Sequence, residues 1–194
     1  MALVAARCAQ AGVLDVPARF MWGWSPPGGL APPTASGYCG AASVQTAAIY
    51  HGNWLSQDAV RGTSGGYNDN HALLLGVRGP TSVMSACAAL KLNCTAWDYN
   101  TAADPQSTAF LRWATAAIDR GKPVITGLYW SEESDADYDH IVPLVGYDAD
   151  AAIYINDLHS NSTRRFELPG FVSNRKHCKR SPDHSSSAAS PAER

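Results

Sequence analysis

Two hydrophobic periods divide the chain. Cys39 to Tyr50 carries Ala41, Ala42, Val44, Ala47, Ala48 and Ile49 with no glycine or proline after Gly40. That predicts a buried helix closed by Gly52. Ser56 is placed to cap a short second helix over 57–61, and Thr81 a third helix through Leu90. Leu92 to Trp97 reads as a strand. Phe110, Leu111, Trp113, Ala114, Ala117 and Ile118 recur at three- and four-residue spacing and predict a helix over 105–120, stopped by Gly121. The period then shortens. Residues 123–130, 140–147, 151–155 and 164–168 read as strands, with Asp148 and Asp150 marking a hairpin turn. Helices first and an antiparallel sheet second make an α+β domain, not a doubly wound one. Residues 1–35 are rich in turn formers and predict an irregular segment. The domain proper is read as 36–172. The Ser-, Arg-, Lys- and Pro-rich stretch 173–194 is read as a disordered tail.

Composition narrows the function classes. The chain has 194 residues, 45% of them hydrophobic and 16% charged, enough apolar surface for a core. Its net charge of −2 and pI of about 6.3 disfavour a nucleic-acid binder held by phosphate contacts. No run of 18 apolar residues exists, so a membrane-spanning helix is not expected. Two sequons, at Asn93 and Asn161, leave a secreted or extracytoplasmic location open, although no clear signal peptide is seen. Five cysteines, without a Cys-x-x-Cys pair, argue against a structural metal site. Cys87 and Cys94 are spaced for either a local disulfide or two buried thiols. The sequence calls for no cofactor and does not reveal an oligomeric state.

Three segments carry candidate chemistry. In Gly37-Tyr38-Cys39-Gly40-Ala41 a cysteine sits at a loop-to-helix junction, where unpaired N–H groups favour a thiolate. The flanking glycines leave room for another molecule to approach the backbone. In Tyr138-Asp139-His140-Ile141-Val142-Pro143 a histidine opens an apolar strand. In Ile153-Tyr154-Ile155-Asn156-Asp157 a polar pair closes the next strand. From there Asp157, or alternatively Asn156, can orient the imidazole, but not both from a regular strand. Each motif alone is outweighed by an ordinary structural role. Glu132, Glu133, Asp135, Asp137 and Asp139 crowd the approach to His140 and read first as a solvated acidic loop. His159 is a spare candidate for substrate contact. Trp54, Trp97, Trp113 and Trp130 are spread along the elements and read as core or cleft-wall packing.

Cysteine heading a helix, then histidine heading a strand, then an acid or amide one strand later resembles the order in papain-like cysteine peptidases. More narrowly it resembles their branch related to bacteriocin leader peptidases, the peptidase C39-like domains. The strings 37–41, His51 to Gln57, Asn68 to Ala72 and Asp137 to Pro143 carry this resemblance over roughly 36–170. It implies a papain-like fold with the nucleophile on a central helix. It also implies Cys39 as nucleophile, His140 as general base and acid, Asp157 as orienter, and a peptide or protein substrate cleaved through a thioester. One feature departs from the pattern. No glutamine precedes Cys39, and Gln10 and Gln45 lie elsewhere, so Thr34 or Ser36 is left to assist the Cys39 amide at an oxyanion hole. Losing one such donor typically costs about 2.7–4 kcal/mol of transition-state stabilisation. The alternatives are therefore acyl or amide transfer by the same triad, a catalytically silent papain-like binding module, and an aromatic-rich recognition domain.

Overall fold

The computed structural model describes residues 12–21, 37–67, 71–75, 79–98, 107–128, 140–148, 152–167 and 189–193. The helical half comes first: α1 over Cys39–Tyr50, α2 over Gln57–Gly62 and α3 over Val83–Ala89. Strand β2, Asn93–Ala96, and helix α4, Ser107–Ile118, lead into the sheet strands β3 Val124–Leu128, β4 His140–Tyr147, β5 Ala152–Asp157 and β6 Ser162–Glu167. Two further strands, β1 at Gly12–Val13 and β7 at Ala189–Glu193, complete the set. The sheet runs β2-β7-β3-β4-β5-β6, with β1 paired to β4. Every named strand pair is antiparallel.

The boundaries follow local chemistry. The Ser56 hydroxyl accepts the Ala59 amide at 2.9 Å and starts α2 as expected. At α3 the cap is Ser82 rather than Thr81. Ser82 Oγ accepts from the Ser85 amide at 3.0 Å, and the Ser82 backbone is extended as a cap requires. The Asp148 carboxylate accepts the Ala152 amide at 3.0 Å and closes the β4–β5 hairpin.

β1 and β7 depart from the sequence reading. β1 lies in the segment expected to be irregular, and β7 lies in the stretch expected to be tail. Both join the sheet through main-chain pairing, which short segments can supply without an apolar period. The irregular step in the β2–β7 ladder falls where Pro191 interrupts β7, as a residue without an N–H requires.

The sheet separates two cores. On one face Ala41, Ala42, Val44 and Ala48 of α1 pack with Val83, Ala86, Ile125, Ile141 and Leu158. On the other, Ala114, Ala117 and Ile118 of α4 pack with Val124, Val142, Leu144, Ile153 and Ile155. Neighbours 124 and 125, or 141 and 142, go to opposite cores, the period of two expected of a strand. Burying a side chain such as Ile141 or Ile155 is worth about 1.5–3 kcal/mol. The tryptophans are less dispersed than their sequence spacing suggests. Trp97, Phe110 and Trp113 form one cluster with ring centroids 5.7–5.9 Å apart, whereas Trp54 is 81% exposed. Trp130 lies outside the described residues.

Cys87 and Cys94 form a disulfide that ties α3 to β2, with Cα atoms 6.2 Å apart. Closing so short a loop in the unfolded chain is worth about 2–3 kcal/mol. Reduction, or Cys94→Ser, is therefore expected to lower the free energy of unfolding by about that amount. Urea melts with and without a reductant measure it, and coincident melts would show the bridge to be energetically idle.

Candidate active site

α1 begins at Cys39 with no side-chain cap; Tyr38 stands at the cap position in a helical conformation. The first-turn amides are therefore left to whatever lies at the helix head. Cys39 is the free cysteine of the described residues and is half-buried. Burial pushes its thiol above the ordinary value. The main-chain amides of Ile141 and Gly40, the Arg61 charge and its own amide act in the opposite direction without overcoming that effect. The Ile141 amide is the link that matters. It belongs to the peptide joining His140 to Ile141, so the thiol senses the first peptide of β4. One turn on, the Ser43 hydroxyl donates to the Ile141 carbonyl at 3.2 Å. The Ser43 hydroxyl on the Ile141 carbonyl stitches the first turns of α1 to the head of β4.

The two glycines of the motif serve a different purpose from the one expected. A Cβ at Gly40 would run into the Leu73 carbonyl oxygen and lie 3.0 Å from the Leu73 Cβ. A Cβ at Gly37, whose φ is +73°, would lie 2.8 Å from that of Ala72. The space is filled by the chain's own segment 71–75 rather than kept for another molecule.

His140 is 4% exposed, and β3 ladders to β4 with Leu128 opposite His140. Pro143 offers no N–H, and the recorded β4–β5 pairs begin after it, at Leu144. At this end of the sheet the His140 ring lies against His159, with centroids 4.6 Å apart and planes tilted by 33°. The fully buried Asp157 carboxylate serves its own turn: Oδ1 accepts the His159 amide at 2.9 Å, and Oδ2 accepts the Ser160 hydroxyl at 2.7 Å and pairs with Arg164 at 2.9 Å. Burial by itself would raise this carboxyl. The hydrogen bonds from Ser160 and His159, with the charges of Arg164 and His159, outweigh it and hold the group below the usual carboxylate range. Asn156 is engaged elsewhere; its amide donates to the Val16 carbonyl at 3.0 Å and its oxygen accepts from Thr163 at 2.9 Å.

The structure thus brings Cys39 to the strand headed by His140. It brings Asp157 to His140 through the turn that carries His159 rather than by a direct hydrogen bond. Thr34, Ser36 and the acidic loop 132–139 lie outside the described residues. Gln45 donates to the Leu55 carbonyl at 2.9 Å rather than toward Cys39. Among the described residues no cluster of three or more His, Cys, Asp or Glu side chains is placed to hold a metal ion. The sequence reading missed Arg61. A lone arginine near the end of a short helix looks like a solvent-facing residue, yet this one is fully buried. In the sequence His159 reads only as a candidate substrate contact, because nothing there shows the turn folding back on the strand head.

Helices headed by a cysteine on one face of an antiparallel sheet, with a histidine opening a central strand, define a papain-like cysteine peptidase architecture. The chain belongs to the Peptidase_C39 like family, whose model matches residues 13–174. Among solved structures it is similar to a C39-like peptidase from Bacillus anthracis, at 15% identity and a TM-score of 0.57 over 95% of this chain and 99% of that one. It also matches the peptidase domain of Streptococcus ComA, a bifunctional ABC transporter of a quorum-sensing pathway, at 16% identity and a TM-score of 0.49 over 82% and 93%. No curated protein matches the chain. Family and fold together support a cysteine peptidase function.

Two stability tests follow from this geometry. Gly40→Ala forces the head of α1 away from the Leu73 backbone and is expected to destabilise the protein by about 2 kcal/mol or more, read as a drop in the urea midpoint. An unchanged midpoint would mean the approach is not tight. The Asp157 carboxyl is depressed in the folded state, so its stabilisation is present above the ordinary carboxylate range and is lost as pH falls through the lowered folded value. Asp157→Asn is expected to lose about 2 kcal/mol at neutral pH and to flatten the acid limb of the stability profile, measured by chemical denaturation across pH. A variant whose loss is the same at every pH would place the carboxylate's effect outside ionisation.

Proposed function

We propose that the protein hydrolyses a peptide or isopeptide bond with Cys39 as nucleophile, His140 as general base and acid, and Asp157 as orienter. The carrying observation is the seating of the partly buried Cys39, at the uncapped head of α1, against the head of the strand that His140 opens, where Ser43 one turn on donates to the Ile141 carbonyl at 3.2 Å. Because burial raises the thiol, the resting nucleophile in this reading is S–H. His140 takes that proton as the sulfur attacks the carbonyl carbon. The imidazolium then gives the proton to the leaving amine. Water, deprotonated by the same ring, cleaves the thioester and frees the acid and the thiol. The Cys39 amide is one donor for the oxyanion, and Thr34 or Ser36 would supply another. Catalytic hydrogen bonds tighten only with substrate in place, so the resting position of the His140 ring beside His159 is compatible with this role. Asp157 acts on that ring by fixing the 157–160 turn.

A second reading, a silent papain-like binding module, is favoured by the raised thiol and by the engagement of the Asp157 carboxylate within its own turn. Turnover of a peptide library separates the two. Cys39→Ala is expected to abolish cleavage and His140→Ala to reduce it by about a thousandfold or more. Cleavage that survives Cys39→Ala would overturn the hydrolase reading. Peptide binding without cleavage by the wild type would establish the binding module.

A further inference from the structure

The approach to Cys39, Gly37 and Tyr38, is held from behind by Arg61, and nothing in the papain-like roles requires an arginine there. Arg61 is 0% exposed near the C-terminal end of α2. Its Nη1 donates to the Gly37 carbonyl, two residues before the nucleophile. Its guanidinium carbon lies 4.6 Å from the centre of the Tyr38 ring, within cation–π range. A buried cation is expensive in free energy unless its surroundings solvate it. Here a carbonyl and an aromatic face, both from the segment entering α1, do part of that.

We propose that Arg61 is a positioning residue for Cys39: it clamps the Gly37–Tyr38 segment that aims the sulfur and keeps a fixed positive charge behind the thiol as it becomes a thiolate.

The electrostatics agree with the geometry. Arg61 favours the ionised form of Cys39. Tyr38 does not neutralise that charge, because burial pushes its phenol up to about 12 and leaves it uncharged at neutral pH. The other groups in this neighbourhood are Asp58, one turn before Arg61 on α2, Tyr67, which with Asp58 acts on Tyr38, and His140 at the head of β4. Asp58 acts on the Tyr38 phenol, and a protonated His140 would favour the thiolate. Arg61 keeps its charge throughout the working range, whereas the imidazole gains and loses its own during the reaction. A clamp also explains why Cys39 can follow a left-handed Gly37 without fraying: the Gly37 carbonyl is tied to a wholly buried side chain.

The inference rests on Cys39 being the nucleophile, but its test reads the thiol directly. Iodoacetamide labelling of Cys39, followed peptide by peptide in the mass spectrometer, gives alkylation rate against pH for wild type, R61Q, R61M and R61K. R61Q keeps a donor for the Gly37 carbonyl and loses the charge, R61M loses both, and R61K keeps the charge on a simpler head. Circular dichroism selects the folded variants. R61Q and R61M are expected to move the inflection upward and to label about tenfold more slowly near pH 8, the effect of about one pKa unit. R61K is expected to track the wild type. A folded R61Q or R61M with the wild-type profile overturns the proposal. Should neither neutral variant fold, R61K decides: a profile overlaying the wild type supports the charge, and an upward shift overturns it. Peptide turnover by Cys39→Ala is run beside these. Turnover that survives Cys39→Ala sinks the hydrolase reading alone, and an unmoved labelling profile sinks the role of Arg61 alone.

Discussion

The structure depends on a backbone-to-backbone approach at the head of α1. Main-chain atoms of a helix can touch another stretch of main chain only where the intervening side chain is reduced to a hydrogen or a methyl group. Gly40 provides that against Leu73, while Ala41 and Ala42, both wholly buried, keep the next turn slim. With the helix seated this deeply, Ser43 reaches the Ile141 carbonyl and the Ile141 amide favours the ionised form of Cys39. A larger residue at position 40 would lift the helix and separate thiol from strand head. The same small side chains that let the core close therefore set where chemistry can happen.

How much of this was legible in the sequence depends on which force fixes each part. α1 could be read from Cys39 to Tyr50 because helix, burial and punctuation agree over those twelve residues. β4 and β5 could be read because their apolar runs feed two cores. β1 and β7 could not, since main-chain pairing leaves no period in side-chain polarity. The cap of α3 slipped by one position because Thr81 and Ser82 are adjacent hydroxyls, and backbone conformation alone chooses between them. The glycines beside Cys39 were recognised as places of close approach, but the sequence cannot say what approaches. Arg61 was invisible because burial of a charge is a property of the assembled fold. It becomes apparent only once α2 is packed against α1.

The polar pair ending β5 shows how strand alternation distributes roles. Asn156 and Asp157 are both wholly buried, yet they hold different things. Asn156 binds the Val16 carbonyl and Thr163, fastening the N-terminal segment and β6 to the sheet. Asp157 organises the turn through Leu158, His159 and Ser160 and draws in Arg164. The turn in turn lays the His159 ring on His140. The carboxylate and the His140 imidazole are thereby linked through the turn and the His159 ring. The carboxylate's two bonds, from the His159 amide at 2.9 Å and the Ser160 hydroxyl at 2.7 Å, hold the turn.

Burial of Cys39 has opposite consequences at rest and in reaction. At rest, desolvation disfavours the thiolate and holds the proton on sulfur, which limits adventitious oxidation and alkylation. In the proposed attack, the same low-dielectric surroundings would strengthen every charge and dipole aimed at the sulfur and at the forming oxyanion. The first-turn amides, the Ile141 amide and Arg61 are already in place, so they need no reorganisation when negative charge appears. Supporting groups that are worth little around a solvated thiol are worth more around a buried one. A raised resting thiol and a preorganised positive setting are then not contradictory signals. In the role proposed for Cys39, together they describe a nucleophile that ionises when a base and a substrate arrive together, which is the behaviour a papain-like site needs if it lacks the customary side-chain donor ahead of its cysteine.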